Sequence, residues 1–369
     1  MEKMEQGPRI LLLSAPIGAG HVLAAKALEE ELKERGLTVI HENIFGFFPG
    51  FLGKGFMKIY LGILKLCPWL YKAAYKWGNR EGGSLWLRGL LNRLLLALGR
   101  GFLEKVRPDA VLTTHATPTG LMALYKKQHP EVFLGAVVTD FMVHQWWLCP
   151  GVDAYFLAHP LLRDRLPKEA ACRAYGLPLR QAFNSLNREA ARQALGWQQQ
   201  VVLILGGGEG LLPMEAIIGQ LINENLRLVA ITGRNERLAQ ALKEQYGERA
   251  TIWGYRDDLP QLLVAADIVI SKAGALTCAE VLACGSKFII FQPLPGQEQG
   301  NSEFLQKQEG VLVAASLKEL KEQVRQLLSR PTGKAKGSEA AKKICDYVLS
   351  QERMLKLLDQ QRVAHYNGR

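Results

Sequence analysis

The 369-residue chain lacks several features that would settle its chemistry at once. Its six cysteines (67, 149, 172, 278, 284 and 345) contain no CxxC pair, so neither a zinc site nor a disulfide framework is signalled. Free thiols in a reducing compartment are expected. No uncharged apolar run reaches the length of about 18 residues that a membrane span needs. The first ten residues, MEKMEQGPRI, are polar and carry acids, unlike a secretory signal. Acidic residues are scarce where they would balance charge. Residues 45–107 hold eleven Lys/Arg (54, 58, 65, 72, 76, 80, 88, 93, 100, 105, 107) and two acids (81, 104), so 11 − 2 = +9 of the chain's +11 lies there. The same segment holds 12 of the 30 aromatics, Trp69, Trp77 and Trp86 among them. Cations interleaved with rings and aliphatics fit an anionic membrane surface. A helical insertion with core aromatics is the plain alternative. The segment is too apolar for a groove that tracks phosphates, so no nucleic-acid partner is expected.

What is present reads as α/β. With 48% apolar and 22% charged residues, the chain is ordinary for a globular protein and long enough for two domains. RILLLSAP (9–16) reads as a buried strand, HVLAAKALEEELKERG as an amphipathic helix and LTVIHEN as a second strand. DAVLTTHA (109–116), FLGAVVTDF (133–141) and DAYFLAH (153–159) are further strands. Near residue 200 the rhythm restarts with QVVLILGGGEG and alternates strand and helix to GVLVA. Two doubly wound, Rossmann-like domains facing a cleft are expected, with ligands at the carboxyl ends of the strands. The boundaries are set at 1–180, 181–345 and a C-terminal helix over 346–369 that can cross back onto the first domain.

SAPIGAGH (14–21) poses the first chemical question. A dinucleotide fingerprint needs a third Gly or Ala for close helix packing, and here Leu23 stands there. Glu42 sits where a ribose-binding acid would. His21, at the first helical turn, takes the space a pyrophosphate would want. An NAD-dependent oxidoreductase is thereby weakened, and the glycines serve better to expose His21. SKAGALTCAE (271–280) is the better nucleotide site. Gly274 admits close approach, and the N–H groups of Ala275, Leu276 and Thr277 at a helix start favour phosphate. Glu280, one turn on, suits ribose hydroxyls. The alternative is a helix capped by Ser271 or Thr277. QPLPGQEQGN (292–301) then reads as a loop presenting Gln297, Glu298, Gln299 and Asn301 to sugar hydroxyls.

These motifs, with APIGAGHVLAAKAL, TTHATP, VVTDFMVHQWWLCPGVDAYFLA, YGLP, GGGEG and DDLPQLLVAADIVISKAGALTCAEVLACG, resemble the GT-B glycosyltransferases. The resemblance is to the monogalactosyldiacylglycerol synthase and processive diacylglycerol glucosyltransferase family. The peptidoglycan N-acetylglucosaminyltransferase is a more distant cousin. The resemblance implies an inverting 1,2-diacylglycerol 3-glycosyltransferase, peripheral on the cytoplasmic face of the cell membrane. Its donor would be UDP-glucose or UDP-galactose and its acceptor diacylglycerol, with no cofactor and no metal. Transfer of N-acetylglucosamine to a polyprenyl-diphosphate carrier is the alternative. His21 would be the catalytic base. Tyr255 and the Arg256 backbone would line uracil, residues 274–277 hold diphosphate, Glu280 ribose, and Gln297 and Glu298 the donor sugar. Gly207, Gly208 and Glu209 would approach the phosphates or acceptor, while His115, Asp140, His144 and Trp147 would shape the acceptor mouth. The plant-type enzymes carry a third glycine before the histidine and an arginine after it, where this chain has Ala19 and Val22. No DxD motif is present, and Asp257-Asp258 read as helix caps.

Overall fold

The strand ILLLS is apolar without alternation, which requires that both faces of its sheet be covered. In the computed structural model it is β1 (Ile10–Ser14), followed by α1 (Ala19–Glu34) and β2 (Val39–Asn43). The structure describes residues 7–15, 19–44, 46, 55, 85–293 and 296–367. Expectations resting on 16–18, Gly18 among them, on 45, on 47–54, on 56–84 with Trp69 and Trp77, and on 294–295 lie outside the described residues. Then come α2 (Leu85–Val106), β3 (Ala110–Thr113), α3 (Ala116–Lys126), β4 (Phe133–Val137), β5 (Ala154–Phe156) and β6 (Cys172–Arg173). The strands form a parallel sheet in the order β2-β1-β3-β4-β5-β6. Ile10 and Leu12 point to one layer with Leu28 and Leu32 of α1. Leu11 and Leu13 point to the other with Leu95 and Leu103 of α2 and Leu121 of α3. The chain adds β2 on one side of β1 and β3 on the other. Their carboxyl ends therefore open a topological switch point, where ligands bind in such sheets.

The second unit, Gln181–Ser338, repeats the scheme. After α4 (Arg188–Leu195) it runs β7 (Val201–Leu205), α5 (Met214–Leu221), β8 (Arg227–Ile231), α6 (Glu236–Tyr246) and β9 (Ala250–Trp253). It continues with α7 (Leu259–Ala265), β10 (Ile268–Ser271), α8 (Ala275–Ala283), β11 (Lys287–Phe291), α9 (Gln297–Leu305), β12 (Val311–Ala314) and α10 (Leu317–Leu328). The parallel order β12-β11-β10-β7-β8-β9 puts the switch between β7 and β10. Asp267, just before β10, holds this sheet's base together. Its carboxylate takes Arg188 at 2.7 Å, Arg192 at 3.1 Å and the Val201 N–H at 2.8 Å. Both guanidiniums are mostly covered, and burial lowers the Arg188 pKa, opposed by the Asp267 charge. Asp267→Ala strands two covered cations, so urea unfolding should show a loss of about 3 kcal/mol.

The chain returns to the first unit at Glu339, earlier than the boundary of 345 read from the sequence. The cause is packing: Ala341, Ile344, Cys345 and Val348 of α11 (Ala340–Leu349) join the core of α1. Arg35 ties that helix to Asp346 at 2.7 Å, and Arg353 of α12 (Glu352–Asn367) reaches the buried Asp109 at 2.9 Å. Two helix starts also differ from expectation. Gly296, at φ 104°, turns the chain so that α9 begins at Gln297. The residues read as the second half of a loop are thus its first turns. Asp258 does precede α7, yet its carboxylate makes no cap and instead takes Arg256 Nε at 2.8 Å.

Candidate active site

The switch point of the first sheet brings together residues from three loops. His21 follows β1, Thr114 and His115 follow β3, and Thr139 and Asp140 follow β4. His21 is buried on α1, 8% exposed. Its Nδ1 lies 2.7 Å from the Thr114 carbonyl and 2.7 Å from Thr139 Oγ1. A carbonyl only accepts, so Nδ1 carries the proton and Nε2 keeps a lone pair. The Thr139 hydroxyl donates to the same carbonyl at 3.1 Å, and Thr114 Oγ1 donates to the His21 carbonyl at 2.9 Å. The ring is thus fixed in orientation and tautomer. Burial lowers the His21 pKa, opposed by the charge of Asp140 and the bond to Thr114. The imidazole is therefore neutral and ready to accept a proton at ordinary pH.

The neighbouring histidines have other tasks. His115 stands past the end of β3 rather than on it, at the N-cap of α3, where its Nδ1 accepts the Thr117 N–H at 3.1 Å. Its ring meets that of His21 edge-on at 4.8 Å. Burial and then the charges of His21 and His144 hold its pKa well below the usual 6.5. His144 caps the turn Gln145–Trp147 in the same way, accepting the Trp146 N–H at 3.1 Å. Trp147, expected at an acceptor mouth, is 3% exposed and belongs to the core. Its carbonyl takes the Tyr155 hydroxyl at 3.1 Å. Trp146, partly exposed beside His144, is the ring presented there. Arg88 of α2 pins this turn through the Gln145 and Leu148 carbonyls, at 3.2 and 3.1 Å.

The second switch point carries the other candidate residues. Helix α8 begins at Gly274 with no side-chain cap. Ser271 donates instead to the Leu205 carbonyl, so neither it nor Thr277 caps the helix. The first-turn N–H groups of Ala275, Leu276 and Thr277 are left to a ligand by side chains, at the positive end of the helix dipole. Glu280 lies one turn on and is 3% exposed. Gly207, at φ 72°, turns the loop after β7, with Gly208 and Glu209 exposed behind it. Tyr255 is exposed. Arg256 stacks its guanidinium on Trp253 at 4.7 Å and pairs with Asp258.

Of the four polar residues expected to meet a sugar, Asn301, Gln299 and Glu298 have partners inside their own unit. Asn301 is 1% exposed and donates to the Ala273 carbonyl at 3.1 Å, so it braces α9 against the start of α8. Gln299 bonds Glu303 at 3.1 Å. Gln297 and Glu298 form the first turn of α9, and Glu298 is ion-paired to Lys272, just past the end of β10. Lys272 was not singled out by the sequence; its side chain crosses from β10 towards Gly207, which only the strand order reveals. Among the described residues, no group of three or more His, Cys, Asp or Glu could hold a metal ion.

The model of monogalactosyldiacylglycerol synthase matches residues 21–178, and that of the glycosyltransferase family 28 C-terminal domain matches residues 181–361. The chain belongs to this GT-B glycosyltransferase family. Similar proteins include a processive diacylglycerol beta-glucosyltransferase of Bacillus cereus (strain B4264), 27% identical over 84% of this chain and 83% of that one. The enzyme of that name from Bacillus subtilis (strain 168) is 25% identical over 88% of each chain. The solved structure of MurG from Acinetobacter baumannii has the same fold, with a TM-score of 0.62 at 16% identity, over 93% of this chain and all of that one. The spinosyn rhamnosyltransferase SpnG scores 0.57 at 13% identity, over 93% and 96%. The two family models, which together span residues 21–178 and 181–361, make the chain a glycosyltransferase, with His21 opening the first matched region and the α8–α9 residues inside the second.

Proposed function

We propose that this glycosyltransferase moves glucose or galactose from a UDP-sugar to the free hydroxyl of diacylglycerol, with inversion at the anomeric carbon. The observation that carries the chemistry is the His21 tautomer. Nδ1–H is committed to the Thr114 carbonyl, so Nε2 is the free base that takes the hydroxyl proton as the bond forms. In this reading the leaving diphosphate gains charge that the open N–H groups of α8 and its dipole stabilise, with no cofactor. Glu280 takes the ribose hydroxyls, and Tyr255 with the Arg256 backbone takes the uracil. The acceptor class follows the names of the similar Bacillus enzymes, which use diacylglycerol. The test offers UDP-glucose, UDP-galactose and UDP-N-acetylglucosamine with vesicles of diacylglycerol or of a polyprenyl diphosphate. Label is expected in diacylglycerol from one of the two hexoses. Label confined to the polyprenyl lipid overturns the acceptor assignment.

We also propose peripheral attachment to the anionic, cytoplasmic face of the membrane. Helix α2 supports it. Trp86, Leu90 and Leu94 recur at four-residue spacing and are 66%, 58% and 50% exposed, with Arg93 and Arg100 alongside. Side chains so spaced share one helix face, and an apolar stripe edged with cations suits the headgroup boundary. Among the described residues no helix is long and apolar enough to cross a membrane. Replacing Trp86, Leu90 and Leu94 together with serine should lower sedimentation with anionic vesicles by about tenfold or more, each ring or leucine contributing burial at the interface. Unchanged sedimentation would remove α2 from the docking surface.

A further inference from the structure

The ion pair between Lys272 and Glu298 lies beside the second switch point and joins the segments that follow β10 and β11. Lys272 follows the last residue of β10 and stands two residues before Gly274, the N-cap of α8, and Glu298 sits on the first turn of α9. Both side chains are mostly covered, at 23% and 13% exposure. The arm of Lys272 runs over Gly207, where an added Cβ would come within 3.0 Å of Lys272 Cε. One lysine thus links the loops after β7, β10 and β11, at the crevice where a doubly wound sheet takes its ligand. Its charge is cancelled by a carboxylate that the donor reading assigns to the sugar.

We infer that Lys272 and Glu298 form an exchangeable pair that makes the site prefer an intact sugar nucleotide over the bare nucleoside diphosphate. The inference rests on the donor assignment proposed above. A diphosphate arriving at α8 draws the Lys272 ammonium to its oxygens, and the ion pair opens. The Glu298 carboxylate then loses this cation while a second anion lies near. Hydroxyls of the attached hexose satisfy it by donating to its oxygens. Bare UDP brings no such donors to offset the repulsion between its phosphates and the carboxylate. The intact donor therefore opens the pair at lower cost than UDP does. After transfer the sugar has gone, the pair re-forms, and UDP is released. Charge complementarity across a mostly covered site makes each of these exchanges a sizeable effect.

The two halves of the pair have opposite expected effects on UDP, which separates this device from a mere structural brace. Calorimetric titration of the full chain with UDP and with UDP-hexose provides the test, with thermal melting to show that each variant folds. Lys272→Met removes the cation and should weaken UDP by about tenfold, the scale of one charge-assisted contact, and Lys272→Arg should restore most of it. Glu298→Gln frees Lys272 and removes the competing anion, so UDP should bind several-fold tighter while the preference for UDP-hexose over UDP shrinks. Weaker UDP binding in both Lys272→Met and Glu298→Gln, or no change in either, overturns the pair's role although the donor reading stands. Failure of the unaltered protein to bind UDP overturns the donor reading and this inference with it.

Discussion

His21→Ala should lower kcat by about a thousandfold, within the range of about 10² to 10⁴ that a positioned general base supplies. UDP affinity should change by less than about twofold, because the proton transfer is made only in the transition state. Steady-state turnover and UDP titration check the two halves. Wild-type turnover in this variant would remove His21 from the chemistry. The pH profile provides an independent check with a definite sign. Burial depresses the His21 pKa below its ordinary 6.5, so the neutral base persists below that pH and the acid limb of kcat/KM should have its midpoint under 6.5. The Asp140 charge raises the same pKa, so Asp140→Asn should move that limb to still lower pH. Stability follows the same linkage. His21 and His115 both have folded pKa values below the unfolded 6.5. Between those values and 6.5 the unfolded chain binds more protons, so their contribution is full above about 6.5 and is lost as pH falls through that window.

Glu280→Ala should weaken UDP by about thirtyfold or more. A carboxylate that accepts two hydroxyls forms two charge-assisted bonds, each of about 1.5–3 kcal/mol, and part of that is offset by its own desolvation. Its position explains why the residue suits the task. Glu280 lies on α8 one turn beyond the open N–H groups, so one short helix would present to a nucleotide both a donor-rich end and an acceptor. It is buried already, so little side-chain entropy is lost on binding. Glu280→Gln keeps the shape and loses the charge, and should fall between the two. UDP affinity unchanged in the alanine variant would show that the ribose sits elsewhere.

Much of this site is legible in the chain because glycine, proline and strand endings are local signals. His21 and SKAGALT each follow an apolar strand, and each stands at a switch point of its sheet. What is not legible depends on distant residues. The tautomer of His21 is set by Thr114 and Thr139, which lie 93 and 118 positions away in sequence. TTHATP and VVTDF show polar residues at the ends of apolar strands, a signal that does not reveal that they meet His21. Trp147 and Asn301 mislead for one shared reason. Residue type suggests a ligand contact, whereas both are buried inside their own unit, and the Asn301 amide donates to the Ala273 carbonyl there. The start of α9 is misplaced because Gly296 and two prolines suggest an extended loop, yet the left-handed Gly296 is the point where the helix begins.

The stereochemistry of the product tests the central claim most directly. A UDP-hexose carries its sugar in the α configuration. A single displacement in which His21 Nε2 deprotonates the acceptor hydroxyl must place the new bond on the opposite face. Proton NMR of the glycolipid made from α-linked UDP-glucose or UDP-galactose and diacylglycerol should show the anomeric proton of a β-glycoside. An α-glycoside would contradict the account, because retention needs no base at the position His21 holds.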